Sequence, residues 1–366
     1  MKKINRILII DNSPGVTGAF KSVYHLTSML RNSFEFHMAL KTKSLLDIVS
    51  KQGYIPYTIP FLEIEKSWRL LIYFPQLLIN SWRILGIVRK SSITVIHVND
   101  LYNMIGVVVK IFKPRIKLIY HVRLLPNSYV ATLYSIWSRL ILRFSDAVVC
   151  VSEAVYNSLP DSDKKVIIYD ATNKVSQKPK KDSSQVKFLY PANFIPGKGQ
   201  NFAVRVFASI LSKIPNSHLT FIGGDLNKRK NKEFLIKLKD DVERLGLQNN
   251  VTFRDTTDNL TPYYHEADVV IIFSESESFS MICLEGLIHG TPVIATRCGG
   301  PEEIISHRVN GWLVKNRDLD EMSEALVTLY SNTELRNTMT RNTGQIEDKF
   351  SIVKSANKLG ALYASM

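Results

Sequence analysis

Two glutamates and several glycines between residues 274 and 304 have the residue types of a ligand site. Glu277 and Glu285 are separated by seven residues, and a carboxylate can accept hydrogen bonds from two adjacent hydroxyls, such as those of a ribose or a sugar ring. The residues beside Glu285 are apolar, so a charge at this position needs a partner. Alone, the pair is weak evidence, because charged helices often place glutamates at this spacing on a solvated face.

Backbone groups of the same segment suit a phosphate. Ser280, Met281 and Ile282 are expected to open a helix, whose first N–H groups and dipole favour an anion. Residues 289–292 (His-Gly-Thr-Pro) are predicted to end this helix and to enter a buried strand. The glycines at 299 and 300 follow that strand, where they allow the backbone to approach a ligand closely.

The elements that must position these residues form two series. Short apolar runs alternate with helical patterns, which indicates parallel sheets covered on both faces. A polar, basic stretch at 171–185 predicts a linker, after which the alternation restarts. We therefore expect an α/β protein of two doubly wound, Rossmann-like domains facing a cleft, with ligands beyond the carboxyl ends of the strands. The expected bounds are 1–178 and 179–346, with 347–366 as a C-terminal helix packing back toward the first domain.

The net charge of +14 resides in the first half of the chain. Residues 1–180 carry 25 Lys and Arg against 11 Asp and Glu, whereas residues 181–366 carry 22 of each. The basic half is expected to meet an anionic membrane surface or a pyrophosphate-linked acceptor, unless it is simply a basic soluble domain. Nucleic acid would also fit the charge, but no recognition motif for it is present, so we predict no nucleic-acid partner.

The chain is expected to act in the cytoplasm, with an open question about membrane contact. The apolar run at 7–10 is too short for a signal peptide or a membrane span, and the three cysteines fit neither a disulfide framework nor a metal site. Residues 66–92 mix four large aromatic residues with basic ones and contain Pro75, which argues against a continuous span. They are interpreted either as interfacial helices on anionic lipid or as a buried helix with a basic outer face. The four aromatic residues are Trp68, Tyr73, Phe74 and Trp82.

The ordered pattern resembles the family 4 glycosyltransferases, which belong to the group 1 glycosyltransferases and have the GT-B fold. That family carries a glutamate, seven residues, a second glutamate, then Gly-Thr-Pro-Val and Gly-Gly-x-x-Glu. Here the matching positions are Glu277, Glu285, 290–293 and 299–303. Further matching pieces occur in order along nearly the whole chain, at 145–153, 197–199 and 222–224.

The resemblance implies a role for each matched residue of the second domain. Glu285 would bind the ribose hydroxyls of a nucleotide, and Glu277 would contact the donor sugar and take part in catalysis. Lys198 would neutralise the departing diphosphate, a task that needs no metal and no other cofactor. The remaining donor-binding candidates are Asn193, Gly224, Phe279, Ser280, Met281 and Ile282.

One position of the donor site departs from the family pattern. The family usually has an arginine five residues before the lysine, and this chain has Asn193. An asparagine can hydrogen-bond a phosphate but adds no charge, so either Lys198 suffices or another cation such as Arg297 helps. The departure also leaves a catalytically weakened homologue open.

Four residues of the first domain are candidates: Gly18 for donor binding, Thr17 and Arg123 for acceptor binding, and His121 for catalysis. Thr17 and Gly18 stand where the family has paired glycines near the donor phosphates and the acceptor. His121 ends a strand at the position of a family histidine that points at the donor sugar, which makes it a catalytic candidate. Arg123 could meet an anionic acceptor. His97 is similarly placed in its own strand and is interpreted as structural.

The resemblance implies a retaining transfer of a sugar from a nucleoside-diphosphate sugar to a carbohydrate or lipid-linked acceptor, in the assembly of a cell-surface polysaccharide. The acceptor would attack on the face from which the diphosphate leaves, and catalysis would rest on positioning and charge stabilisation. Two alternatives stay open: a sugar-nucleotide epimerase of similar fold, and a weakened homologue that binds a membrane surface.

Overall fold

The computed structural model describes residues 5–62, 70–128, 130–173, 175 and 185–366. Most of the predicted linker lies outside these ranges, as do Trp68 and Arg69 of the aromatic and basic stretch. The chain forms two compact units, Met1–Ala171 with Ile352–Met366, and Thr172–Ser351. The boundaries expected from the sequence, at 178 and 346, lie seven residues after and five residues before these limits.

The first unit contains a parallel sheet of seven strands in the order β3-β2-β1-β4-β5-β6-β7. Its interior strands are apolar and almost completely buried, as expected of a sheet covered on both faces. The strands are β1 (Arg6–Asp11), β2 (Glu35–Leu40), β3 (Ile55–Thr58), β4 (Val95–Asn99), β5 (Lys117–Val122), β6 (Ala147–Cys150) and β7 (Lys165–Ile167). The helices between them are α1 (Gly18–Ser28), α2 (Lys43–Ser50), α3 (Leu70–Lys90), α4 (Ile105–Phe112), α5 (Ala131–Phe144) and α6 (Glu153–Ser158), with a 3-10 turn at Pro126–Ser128.

The second unit repeats the design with six parallel strands in the order β10-β9-β8-β11-β12-β13. The strands are β8 (Val186–Pro191), β9 (Ser217–Ile222), β10 (Val251–Arg254), β11 (Val269–Ile272), β12 (Val293–Thr296) and β13 (Gly311–Val314). The helices are α7 (Gln200–Ile210), α8 (Arg229–Arg244), α9 (Thr261–Glu266), α10 (Met281–Ile288), α11 (Pro301–Ile304), α12 (Leu319–Ser331) and α13 (Thr333–Asn342), with a 3-10 turn at Thr343–Ile346.

The strand order reverses direction next to β8, which has β9 on one side and β11 on the other. In doubly wound sheets, ligands bind beyond the carboxyl ends of the strands at such a switch point. The loops after β8 and β11, which carry Lys198 and Glu277, therefore begin at the edge where a ligand is expected. In the first unit the equivalent point lies between β1 and β4.

The last helix, α14 (Ile352–Ala364), packs on the first unit. Its Ile352, Ala356 and Leu359 are buried in the same apolar core as the strands β1 and β2. The ring of Tyr363 lies edge-on to Phe34 and Phe36, with centroid distances of 5.5 and 6.0 Å. In the stretches that the structure describes, no helix combines the length and the apolar character needed to cross a membrane.

Candidate active site

The loop after β8 is fixed to the end of β11, and this attachment positions Lys198. The Tyr190 hydroxyl accepts a hydrogen bond from the backbone N–H of Phe273 at 2.7 Å and donates to the carbonyl of Lys198 at 2.6 Å. Gly199 has a φ of +81°, and a Cβ there would lie 1.9 Å from the carbonyl oxygen of Phe273. Only glycine permits both this conformation and this approach. The sequence Gly-Lys-Gly thus holds the lysine against the β11 loop.

Lys198 and Glu277 form an ion pair at this edge of the sheet. The Lys198 Nζ lies 2.7 Å from Glu277 Oε1, which also accepts a hydrogen bond from the Ser274 hydroxyl at 2.7 Å. Burial acts to lower the pKa of Lys198, but the charge and hydrogen bond of Glu277 outweigh it, and the pKa is raised. The lysine therefore stays cationic at neutral pH, and an anion that binds here must share it with Glu277 or displace that carboxylate.

The glycine-rich loop after β12 holds the backbone of Glu277 in place. The N–H of Glu277 donates to the carbonyl of Cys298 at 3.2 Å, and the Gly300 N–H donates to the carbonyl of Glu277 at 2.7 Å. A Cβ on Gly300 would lie 2.2 Å from the Cα of Phe279, so the two loops approach as closely as glycine allows. The Glu302 carboxylate accepts from the N–H of Cys298 at 3.1 Å and closes the turn.

The helix α10 begins beside this loop with a residue in an unusual conformation. Ser280 is the N-cap with a φ of +79°, and its hydroxyl accepts from the Cys283 N–H at 3.4 Å. A non-glycine residue in this region costs about 1–3 kcal/mol, and such residues cluster at functional sites. The N–H groups of Met281 and Ile282 have no acceptor within their own helix, so this end of α10 attracts an anion.

Glu285 lies one turn into α10 and is half-buried. Its neighbours in sequence are apolar, so its charge needs a hydrogen-bond partner, and the structure provides one. The buried Tyr264 hydroxyl donates to Glu285 Oε2 at 2.9 Å. Burial, followed by the charge and hydrogen bond of Glu285, raises the pKa of Tyr264, so it remains a donor. Its ring stacks on His289 at 4.8 Å, and His289 Nδ1 lies 2.7 Å from the carbonyl oxygen of Glu285. Tyr264, which lies within α9 just before β11, was not among the residues predicted from the sequence.

Asn193 connects the loops after β8 and β9. Its Oδ1 accepts a hydrogen bond from the N–H of Gly224 at 3.1 Å, and the N–H of Phe194 donates to the carbonyl of Gly224 at 2.9 Å. The amide therefore has a structural task in addition to any contact with phosphate. Arg297, the other cation considered, follows β12 with an exposed side chain.

Thr17 and Gly18 begin α1 at the carboxyl end of β1. The Thr17 hydroxyl accepts from the N–H of Phe20 at 3.2 Å and lies 2.9 Å from the Ser13 hydroxyl, so it caps the helix. Gly18 has no atom within 4 Å of the position that a Cβ would take. Neither a close contact nor a positive φ requires a glycine at this position, and the space beside it is open.

His121 is completely buried at the end of β5, stacked on His97 at 5.3 Å. Its Nδ1 lies 3.3 Å from the guanidinium of Arg123, and its Nε2 has no hydrogen-bond partner among the described residues. Burial, then the charge of Arg123, places its pKa well below the ordinary value, so the ring is neutral. His97 Nδ1 contacts the Tyr363 hydroxyl of α14 at 2.5 Å, and its Nε2, like that of His121, has no hydrogen-bond partner among the described residues.

Arg123 does not offer an unpaired charge to an acceptor. Its guanidinium makes two hydrogen bonds to the buried Asp170 at 2.6 and 2.8 Å, and its Nε donates to Asn99 at 2.6 Å. A bidentate pair of this kind satisfies the charge internally. The expected acceptor contact stays a prediction, and the pairing with Asp170 argues against it.

The structure thus gathers the donor-side candidates of the second unit at one edge of its sheet. Lys198, Glu277, Glu285 and the start of α10 follow β8 and β11, and Gly224 joins them through Asn193. The candidates of the first unit lie at the ends of β1 and β5: Gly18 for donor binding, Thr17 and Arg123 for acceptor binding, and His121 for catalysis. Within the described ranges, no group of three or more His, Cys, Asp and Glu could hold a metal ion.

Family models match both halves of the chain. Residues 16–169 match the model described as Glycosyltransferase Family 4, and residues 171–345 match Glycosyl transferases group 1. The chain belongs to the group 1 glycosyltransferases. The family predicted from the ordered glutamates and glycines is therefore confirmed, and the protein is a glycosyltransferase enzyme.

The glycosyltransferase has relatives that match its full length and others that match about half of it. An uncharacterized glycosyltransferase of Methanocaldococcus jannaschii is 25% identical over 361 residues, 96% of each chain. A D-inositol 3-phosphate glycosyltransferase of Corynebacterium urealyticum is 29% identical over 177 residues, which is 46% of this chain and 40% of that protein.

Solved structures share the fold of the glycosyltransferase. HepE from Anabaena, in complex with UDP and glucose, superimposes with a TM-score of 0.83 at 19% identity, over 98% of this chain and 99% of HepE. A sucrose-phosphate synthase from Thermosynechococcus elongatus gives 0.81 at 17% identity, over 99% and 98% of the two chains. The expected GT-B fold of two doubly wound units is confirmed.

Proposed function

We propose that this glycosyltransferase moves a sugar from a nucleoside-diphosphate sugar to a carbohydrate or lipid-linked acceptor and retains the anomeric configuration. The observation that carries the proposal is the Lys198–Glu277 pair, 2.7 Å apart at the switch point and beside the start of α10. A cation and a helix N-terminus suit a diphosphate, and the two glutamates suit the hydroxyl-bearing groups on either side of it. HepE, with the same fold, holds UDP with glucose in one crystal structure and UDP-glucose in another.

The proposed roles follow from the chemistry of each group. Lys198 and the first N–H groups of α10 bind the diphosphate, Glu277 accepts from hydroxyls of the donor sugar, and Glu285, oriented by Tyr264, accepts from the ribose. Lys198 supplies positive charge where negative charge develops, so this scheme requires no metal. Asn193 contributes a neutral amide where an arginine is usual, which leaves Lys198 as the principal cation of the site.

In the proposed reaction, the bond between the anomeric carbon and the diphosphate oxygen breaks, and a bond to the acceptor oxygen forms on the same face. The acceptor proton passes to the departing diphosphate. Glu277 is held by Lys198 and Ser274, which suits it to orient the sugar rather than to attack it. His121, neutral and with an unsatisfied Nε2, is proposed as a hydrogen-bonding contact to the donor sugar.

We also propose that the enzyme works at the cytoplasmic face of the cell membrane, as a peripheral protein in cell-surface polysaccharide assembly. The support is the charge distribution, because the whole excess of +14 lies in residues 1–180. Anionic headgroups attract basic segments by about 1 kcal/mol per Lys or Arg near the surface. A pyrophosphate-linked acceptor in the membrane would meet the same field.

The donor can be identified by thermal stabilisation with a panel of nucleotide-sugars, since a ligand that binds only the folded state raises the melting temperature. We expect one nucleoside-diphosphate sugar, with uridine or another nucleoside, to stabilise the protein. It should release its nucleoside diphosphate when an acceptor is added. The anomeric configuration of the product, read by NMR, should equal that of the donor. Inversion, or a product with an epimerised sugar still attached to the nucleotide, would refute the proposal.

A further inference from the structure

The outward side of α3 is apolar where a surface helix is ordinarily polar. Every residue exposed between positions 72 and 82 is apolar. Phe74 and Trp82 are each 67% exposed and Leu78 is 58% exposed. A helix on the outside of a globular protein buries its apolar stripe and presents charges to water. An exposed stripe of this kind marks an interaction surface.

The helix α4 extends this surface. Ile111 and Phe112 at its end are exposed, and the Phe112 ring meets Trp82 edge-on at a centroid distance of 6.3 Å. Between the two helices lies a groove of about 270 Å³, lined by apolar side chains and Ser81. We call the exposed residues the apolar face: Ile72, Phe74, Leu78, Ile79, Trp82, Ile111 and Phe112.

The charged residues of α3 and α4 that the structure describes are all basic. They are Arg83, Arg89 and Lys90 on α3, and Lys110 on α4, which is paired with Asp146 at 2.8 Å. Arg83, Arg89 and Lys90 continue the exposed side of α3. Aromatic and aliphatic side chains followed by cations form the pattern of helices that lie in a lipid interface.

We propose that the apolar face enters the interface of an anionic lipid bilayer, with Arg83, Arg89 and Lys90 at the headgroup phosphates. This inference rests on the proposed membrane contact and assigns it a surface. The groove between α3 and α4 then accepts hydrocarbon from the bilayer, and the aromatic rings lie at headgroup level. A second copy of the chain suits the face less well, because a two-fold interface would bring the same cations against each other.

The test is flotation of the full-length protein with vesicles of phosphatidylcholine, with and without phosphatidylglycerol. Wild type should float with the anionic vesicles and detach as salt is added. Trp82→Ala with Phe112→Ala should weaken binding by about a hundredfold, since each large apolar side chain contributes about tenfold or more when buried and the two factors multiply. The matched control is Ile236→Ala on α8, which removes an exposed apolar residue (59%) from the second unit and should change nothing.

Nucleotide binding, measured by calorimetry in the absence of vesicles, separates this inference from the proposed reaction. The double variant should bind nucleotide as wild type does, with an unchanged melting temperature. If the wild-type protein does not bind anionic vesicles, the membrane proposal is overturned, but the proposed donor site is unaffected. Vesicle binding that survives in the double variant shows that another surface makes the contact. Self-association that is lost in the double variant, without vesicle binding, makes the apolar face a subunit interface instead.

Discussion

Replacing Tyr264 with phenylalanine removes one hydroxyl and retains the ring that stacks on His289. In the folded protein that hydroxyl donates to Glu285 Oε2 at 2.9 Å, and the tyrosine is only 1% exposed. The ring fills the same space after the change, so the core should not collapse. The substitution therefore isolates the orientation of the carboxylate that is proposed to bind the ribose.

The expected size of the effect follows from the charge of the acceptor. A hydrogen bond to a charged group contributes about 1.5–3 kcal/mol. Water can reach the half-buried Glu285 and replace part of this, so we expect the lower end, about 1.5 kcal/mol, or roughly a tenfold loss of nucleotide affinity. Lys198 and the start of α10 are untouched, so the affinity for inorganic pyrophosphate should not change.

Calorimetric titration with the nucleoside diphosphate and with pyrophosphate measures both affinities. The matched control is Tyr263→Phe, at the preceding position, where the side chain is only partly buried, and it should leave both affinities as they are. An equal loss for both ligands in Tyr264→Phe would mean that the whole site has shifted. No loss for the nucleotide would mean that Glu285 needs no orientation or does not contact the ribose.

Three further predictions concern stability. Gly300→Ala should lower the free energy of unfolding, measured by urea titration, by about 1–3 kcal/mol, because the new Cβ would lie 2.2 Å from a backbone atom. The control Gly344→Ala, where no atom lies within 4 Å of the Cβ position, should be neutral in this titration. Burial raises the pKa of Asp100 to about 6, so between pH 4 and 6 the folded state holds a proton that the unfolded state has lost. The free energy of unfolding therefore falls by about 3 kcal/mol as the pH rises through this range. Asp100→Asn should remove this pH dependence. Arg123→Met should cost about 3–5 kcal/mol, because it leaves Asp170 buried without its partner, and adding Asp170→Leu should recover much of the loss. Gly300→Ala or Arg123→Met as stable as wild type, or a pH slope that Asp100→Asn leaves in place, would contradict the corresponding argument.

The ends of the strands could be predicted from sequence because buried parallel strands are continuous apolar runs. The run that forms β11 ends immediately before the loop of Glu277, and the run that forms β8 ends before Lys198. Glycines marked the loops in which the backbone comes close to a neighbour, and Gly199 and Gly300 make such contacts. These local signals were sufficient to locate most donor-side candidates and to recognise the family.

The pairing of side chains could not be predicted, because it depends on the strand order. Lys198 and Glu277 are 79 positions apart and meet because β8 lies next to β11. Arg123 and Asp170 are 47 positions apart, and nothing in the sequence around either residue indicates the other. An arginine after a strand suggested an acceptor contact, while the folded chain uses it in a buried ion pair.

The side of α3 that faces outward also could not be predicted from the sequence. Its residues gave two interpretations, an interfacial helix or a buried helix with a basic outer face. In the structure, the outer side from 72 to 82 is apolar and only the end of the helix is basic. The side that a helix buries is decided by its neighbour, here α4, and not by its own pattern alone.

The most direct test of the proposed donor site is the turnover of Lys198→Ala, measured as nucleoside diphosphate release from the donor that stabilises wild type. Loss of one preorganised group that stabilises developing charge costs about 10²–10³ in kcat. We expect a decrease of that size with a much smaller loss of folding stability, because Glu277 loses its ion-pair partner but keeps the Ser274 hydroxyl. The control Lys213→Ala, which removes an exposed lysine of the same unit, should have wild-type turnover. Wild-type turnover in Lys198→Ala would contradict the assignment of Lys198 to the departing diphosphate.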